Sequence, residues 1–346
     1  MNTDNDISVM RDENGRIVGA SGSGLVDLQV NGYAGVDFND SDVERLTLDK
    51  VRGAFEAMRR CGVVSVLVTI VTGPIKEMIA RVARMVELQK QDDLLKTMIA
   101  GFHIEGPLIS GEDGPRGAHP AENVMTPQDT PNLLDELQSA AEGAVRLLTL
   151  APELPGAMEL IAKAAADGIT VALGHHNADA ETIDRAVRAG ARMCTHLGNG
   201  SHMMLPRLDN YLQRQLADDR LSASFIADGH HIPFTTLKNF IRAKTPRRSI
   251  LVTDAIMAAN MPPGQYQVGE VTCRVEPNGM VWKPGEAFLV GSALTMDRAV
   301  LNVAGRCDVS FETAWAMAST QPAELVGMPK PARIEVDVID NNFVRK

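Results

Sequence analysis

Two histidines each follow a short apolar run, about one strand-helix unit apart: Leu173-Gly174-His175-His176-Asn177 and Thr195-His196-Leu197-Gly198-Asn199-Gly200. A third apolar run ends in His103-Ile104-Glu105-Gly106-Pro107, and a further one in Leu251-Val252-Thr253-Asp254-Ala255. If all four runs are strands of one sheet, Glu105, His175, His196 and Asp254 arrive at one rim. A carboxylate and two imidazoles suit a divalent, zinc-like cation and leave positions for water and substrate, the open coordination of a catalytic site. Such an ion acidifies water and polarises a carbonyl, and Asp254 could then take a proton and pass it to a leaving group. The set reads as a metal-assisted hydrolase, with Glu105, His175 and His196 as ligands and Asp254 as base and acid.

Each residue alone has a plainer reading. A lone His at a strand end is commonly a hydrogen-bonded rim residue, Glu105 could pair with an Arg, and Asp254 could cap the next helix. Four of them at matching strand ends favour one shared site. His176 and His230 neighbour better candidates, and strand alternation turns them to the opposite face, which favours structural roles. His202, in Ser201-His202-Met203-Met204-Leu205, stays open. Gly22 and Gly24 resemble half a phosphate loop, but a strand follows them, so they read as a connector.

The positioning elements follow from the apolar pattern. Leu25 to Val30 reads as a buried strand, with Gln29 and Asn31 on one face. Further strands are expected at Val63 to Ile70, Met98 to Ile104, Arg146 to Leu150, Ile169 to Leu173, Arg192 to Thr195, Ala223 to Ala227 and Ser249 to Val252. Helical spacing fills the gaps, at about 43–60, 75–90, 158–166, 180–189 and 235–243. Eight strands alternating with helices predict an α/β fold, a (β/α)8 TIM-like barrel, with a doubly wound sheet as the alternative. Residues 1–22 read as part of a small β domain, residues 23–330 as the barrel with a β insertion at 262–292, and the tail 331–346 as pairing with the small β domain. The loop 106–120 is long enough to be functional.

Of 346 residues, 45% are hydrophobic and 23% charged, as in a soluble globular protein. With 34 Lys and Arg against 44 Asp and Glu, the net charge of -10 argues against nucleic acid as a partner. Cys61, Cys194, Cys273 and Cys307 form no CxxC pair, which suits a reducing cytoplasm rather than a disulfide framework. The acidic start, with Asp4 and Asp6, lacks a signal peptide's pattern, and no run is long enough for a membrane helix.

These motifs, together with Val26-Asp27-Leu28-Gln29-Val30-Asn31-Gly32, Gly117-Ala118-His119, Ala151-Pro152-Glu153, Ala227-Asp228-Gly229-His230-His231 and Gly291-Ser292-Ala293-Leu294-Thr295-Met296, resemble the N-acetylglucosamine-6-phosphate deacetylases of the amidohydrolase superfamily from Gly24 to about Gly327. The resemblance implies a metal held by Glu105, His175 and His196, with Asp254 as general base and acid. It places His119 near the scissile amide or sugar, Asn199 and Gly200 in substrate binding, and His231 at the substrate phosphate. Arg207 is the nearest counterpart of an Arg that in the family meets the phosphate across a dimer interface. Gln29 and Asn31 stand where many amidohydrolases carry His-x-His, which favours one divalent ion over two and leaves them as second-metal or pocket positions. Zinc leads, with Fe, Co or Mn as alternatives. The implied reaction hydrolyses an acetamido group of a sugar phosphate to acetate and an amino sugar phosphate, in a homodimer.

Two departures bear on the substrate. After Thr-His-Leu the family has an aromatic residue and Asn-Ala-Met, where this chain has Gly198-Asn199-Gly200-Ser201-His202. Its later Arg-Glu-Pro-Gly becomes Arg207-Leu208-Asp209-Asn210, with Asp209 a potential repulsive neighbour for a phosphate. Alternatives are therefore an amidohydrolase acting on another acylated amine or cyclic amide, and a non-catalytic sugar-phosphate sensor.

Overall fold

The computed structural model describes residues 7–268, 271–282, 289 and 291–346; Asp4, Asp6 and Lys283 lie outside the described residues. Eight strands form one parallel sheet: β1 (Leu25–Val30), β2 (Val63–Val71), β3 (Ile99–Glu105), β4 (Val145–Leu150), β5 (Thr170–Leu173), β6 (Ala191–Cys194), β7 (Ser222–Ile226) and β8 (Ser249–Val252). Each pairs with its neighbour in sequence order. Their near-continuous apolar composition follows from burial on both faces, with the barrel interior on one side and helices on the other.

The sheet curls until β1 meets β8. Val30 bridges Ala255 in parallel, and the Asn31 N–H donates to the Ala255 carbonyl at 2.8 Å. Asp27 fastens the same seam, accepting from the Thr253 hydroxyl at 2.5 Å and from the Thr253 and Gln29 N–H groups at 3.2 Å. The fold is thus the expected eight-stranded barrel.

Helices cross between the strands because each carries one apolar face. In Leu48–Arg60 that face is Val51, Ala54, Phe55 and Met58, all buried. The helix expected from residue 43 starts later: Val43–Arg45 is a separate 3-10 turn, capped by the Asp42 side chain. Asp179 caps Ala180–Ala189 by accepting from the Thr182 N–H at 2.8 Å.

Both chain ends meet in a four-stranded antiparallel sheet of Ser8–Arg11, Ile17–Ser23, Arg333–Ile339 and Asn342–Arg345. It is tied to the barrel by Trp315, whose ring N–H donates to the Ser23 carbonyl at 2.7 Å and which stacks on Phe343. Gly264–Val268, Val271–Val275 and Val281–Trp282 form a separate antiparallel sheet, whose Cys273, Val275 and Val281 cluster with Ile256 and Ala258.

Burial pushes the Asp27 carboxyl up to about 7, against the hydrogen bonds that favour its charge. A carboxyl whose folded value is raised contributes most below its unfolded value, about 4, and that contribution is lost as pH rises through about 7. Asp27→Asn should remove this slope. The melting-temperature difference between wild type and variant should therefore shrink or reverse from pH 4 to pH 8, and a constant difference would contradict it.

Candidate active site

Glu105 is the last residue of β3, whereas His175, His196 and Asp254 each stand two residues beyond the ends of β5, β6 and β8. All three have positive φ, of 53°, 28° and 50°. That region is costly for residues with a Cβ, so the surroundings must hold it. The His196 N–H donates to the Ser224 hydroxyl at 2.7 Å, and the His175 carbonyl accepts from the Ser110 N–H at 2.8 Å.

The result is a close triangle. Glu105 Oε1 lies 3.3 Å from His175 Nε2 and 2.9 Å from His196 Nε2, and the two nitrogens are 3.1 Å apart. Four ligands at about 2.1 Å around a tetrahedral ion would stand roughly 3.4 Å apart, so the spacing suits a small divalent cation. The tautomer agrees: His175 Nδ1 lies 2.8 Å from the Pro115 carbonyl, which can only accept, so Nδ1 carries the proton and Nε2 turns a lone pair toward the triangle. A carboxylate oxygen and this lone pair facing each other in a buried place call for positive charge between them.

The three groups are also coupled electrostatically. Burial opposes ionisation of Glu105, but His175 and His196 outweigh it and hold its carboxyl well below the usual range. For His196, burial is overcome by the hydrogen bond and charge of Glu105, and its pKa rises. The donor set fits a divalent ion of the zinc class.

Asp254 lies beside the triangle. Burial first, and the Glu105 charge second, push its carboxyl up to about 6. The Gln29 side-chain N–H donates to Glu105 at 3.0 and 3.1 Å and to Asp254 at 3.1 Å, while Asn31 donates to the same Asp254 oxygen at 2.7 Å. Gln29 thus joins the two carboxylates through its amide nitrogen, and Asn31 adds a second donor to Asp254.

His119 packs edge-on against His175, with ring centroids 4.4 Å apart, and offers a nitrogen within 4.8 Å of the Glu105 and His175 ligand atoms. Burial, then the neighbouring His175, push its pKa down to about 3. Asn199 is turned inward on its own loop, its amide donating to the His196 carbonyl at 3.1 Å. Gly200 lies flat on the His175 ring: a Cβ there would fall 2.7 Å from His175 Nδ1, and φ is +55°. Gly200→Ala should therefore displace His175 and weaken divalent-metal affinity at least tenfold in a calorimetric titration. Unchanged affinity would show that the loop yields instead.

His231 is oriented by Asp228, whose carboxylate lies 2.6 Å from Nδ1 and also accepts the His230 and His231 N–H groups. His231 is near enough to Asp254 to pull the Asp254 pKa down. Arg207 is exposed in the loop after β6. Asp209 is paired with Arg214 at 2.6 Å. His202 bonds Tyr211 and Glu112, His176 bonds Gln215 and the Ala178 N–H, and His230 faces the Asn278 carbonyl at 3.1 Å.

Some supporting residues escaped the sequence reading. Below Glu105, Thr69, His103, Thr149 and Thr195 form a buried hydrogen-bonded chain. Asp228, in Asp228-Gly229-His230-His231, had a signal in its spacing to His231. Thr72, 2.7 Å from His119 Nδ1, had none.

A parallel eight-stranded barrel with a carboxylate and two imidazoles converging at its strand ends, and a second carboxylate alongside, has the parts that metal-assisted hydrolysis needs. No family model matches the chain. It is 36% identical to the human N-acetylglucosamine-6-phosphate deacetylase, over 92% of this chain and 77% of that protein. It is 33% identical to the N-acetylgalactosamine-6-phosphate deacetylase of Shewanella sp. (strain ANA-3), over 89% and 74%. Among solved structures, an aspartate-to-alanine mutant of the Mycobacterium smegmatis N-acetyl-D-glucosamine-6-phosphate deacetylase, in complex with N-acetyl-D-glucosamine-6-phosphate, superposes with a TM-score of 0.83 at 27% identity, covering 94% of this chain and 84% of that one. The chain belongs to the N-acetylglucosamine-6-phosphate deacetylase family.

Proposed function

We propose that the chain hydrolyses the acetamido group of N-acetylglucosamine 6-phosphate, giving acetate and the amino sugar phosphate. The observation that carries this is the triangle of Glu105, His175 and His196 with Asp254 beside it, in a chain whose relatives are deacetylases. A divalent ion held by those three residues, with zinc ahead of Fe, Co or Mn, would polarise the amide carbonyl and acidify water. Asp254 removes the proton from the attacking water and returns it to the departing amine nitrogen. Gln29 and Asn31 hold Asp254 and Glu105 in register, in keeping with one ion rather than two. His119, Asn199 and Gly200 shape the substrate side.

His231 meets the phosphate, and Arg207 of a second copy completes that contact in a homodimer. The support for the dimer is the loop that carries Arg207: Met203, Met204 and Leu208 are 99%, 90% and 81% exposed. No helix among the described residues is long and apolar enough to cross a membrane, and the four cysteines are free, which suits a reducing cytoplasm.

The test is turnover of N-acetylglucosamine and N-acetylgalactosamine, each with and without the 6-phosphate. The account expects a phosphorylated sugar to lead in kcat/KM. Equal activity without the phosphate would favour another acylated amine. Preference for the galacto sugar, the substrate named for the Shewanella relative, would change the sugar and keep the chemistry.

A further inference from the structure

Glu105, His119 and His175 each bring one ligand atom within 4.8 Å of the others, and the Nδ1 atoms of the two histidines face different partners. His175 Nδ1 meets a carbonyl, which forces the proton onto Nδ1 and frees Nε2 as a lone pair. His119 Nδ1 meets the Thr72 hydroxyl at 2.7 Å, and a hydroxyl can donate or accept.

Thr72 stands just past the end of β2, is only 4% exposed, and has no other side-chain hydrogen bond among the described residues. If His119 Nδ1 carried the proton, the Thr72 hydroxyl hydrogen would be buried without an acceptor, a loss of about 1–3 kcal/mol. Donation from Thr72 to Nδ1 avoids that loss and sends the imidazole proton to Nε2. Space for the hydroxyl is kept by Gly106, at φ +79°, where a Cβ would fall 2.1 Å from the Thr72 oxygen.

We propose that Thr72 is a positioning residue that fixes His119 as the Nε2–H tautomer, so that His119 Nε2 presents an N–H rather than a lone pair. The use of that N–H in the reaction rests on the hydrolase reading above, whereas the tautomer does not. A protonated Nε2 cannot give a lone pair to a cation, so two imidazoles packed edge to edge are sorted by their outer partners into one ligand and one donor. In the hydrolase reading, His119 Nε2–H is then available to the oxygen on which negative charge grows during attack.

The test combines a spectrum, a metal count and kinetics. Two-bond proton–nitrogen correlation spectra of zinc-loaded, 15N-histidine-labelled protein, with His119→Asn assigning the signal, should show His119 protonated at Nε2 and bare at Nδ1. His119→Asn should keep the wild-type metal content. Thr72→Val, of nearly the same shape, should lower kcat about tenfold or more with little change in KM, while Thr72→Ser should stay within about threefold of wild type. A wild-type His119 protonated at Nδ1, metal loss in His119→Asn, or full kcat in Thr72→Val would each overturn the proposal. The spectrum and metal count need no substrate, so they stand or fall apart from the choice of sugar, and the wild-type spectrum is decisive even if Thr72→Val does not fold.

Discussion

Asp254→Asn should lower kcat by about three orders of magnitude while leaving divalent metal bound and the fold intact, because general acid-base groups contribute about 10²–10⁴-fold. Asn keeps the shape of Asp254, and its amide can still be held by the neighbouring side chains. It cannot take a proton from water or return one to the amine. Asp254 lies outside the Glu105, His175, His196 triangle, joined to it through Gln29, so loss of its charge should spare metal content. The pattern sought is a fall in kcat and kcat/KM together with little change in KM. A sugar-phosphate sensor built on this scaffold would instead keep its function in the variant, and a variant that retained wild-type turnover would remove Asp254 from the proton path.

The second large effect concerns Glu105, the carboxylate of the triangle. Glu105→Gln preserves its size but removes the charge that holds His196 and that a cation would neutralise. Loss of a hydrogen-bond partner of a ligand typically costs 10–100-fold in metal affinity, so loss of this ligand should cost more than about 100-fold. Calorimetric titration of metal-free protein measures it, and activity should fall in parallel and recover in part in excess metal. Gln29→Ala serves as the comparison: it removes a donor to Glu105 and Asp254 without removing a ligand, and its effect should be the smaller. Equal affinities for wild type and Glu105→Gln would place the metal elsewhere.

Much of this arrangement could be read from the chain before its structure. Long apolar runs such as Val63–Val71 report burial on both faces, and each expected barrel strand matches an observed one to within a residue or two. Glu105 is a true strand residue, the last of β3. The two histidines were reached for a different reason than their placement obeys. β5 ends at Leu173 and β6 at Cys194, and it is the left-handed turn beyond each, not the strand period, that aims His175 and His196 at Glu105.

Roles that depend on what a side chain faces were harder to foresee. Thr72 is an ordinary threonine at a strand end, and nothing in its neighbourhood of the sequence shows that a histidine 47 positions later bonds it. Asp27 lies within a recognisable motif, yet its part in closing the barrel on Thr253 spans 226 residues. Arg207 was expected to reach the phosphate from a second copy, and a single chain shows only that it is exposed on the loop after β6.

Crystals of metal-replete protein, recorded at the absorption edge of the bound element, test the central claim most directly. The account predicts a single anomalous peak per chain among Glu105 Oε1, His175 Nε2 and His196 Nε2, with Asp254 beside it. No peak there in fully loaded, active protein, or one bound by other residues, would contradict it.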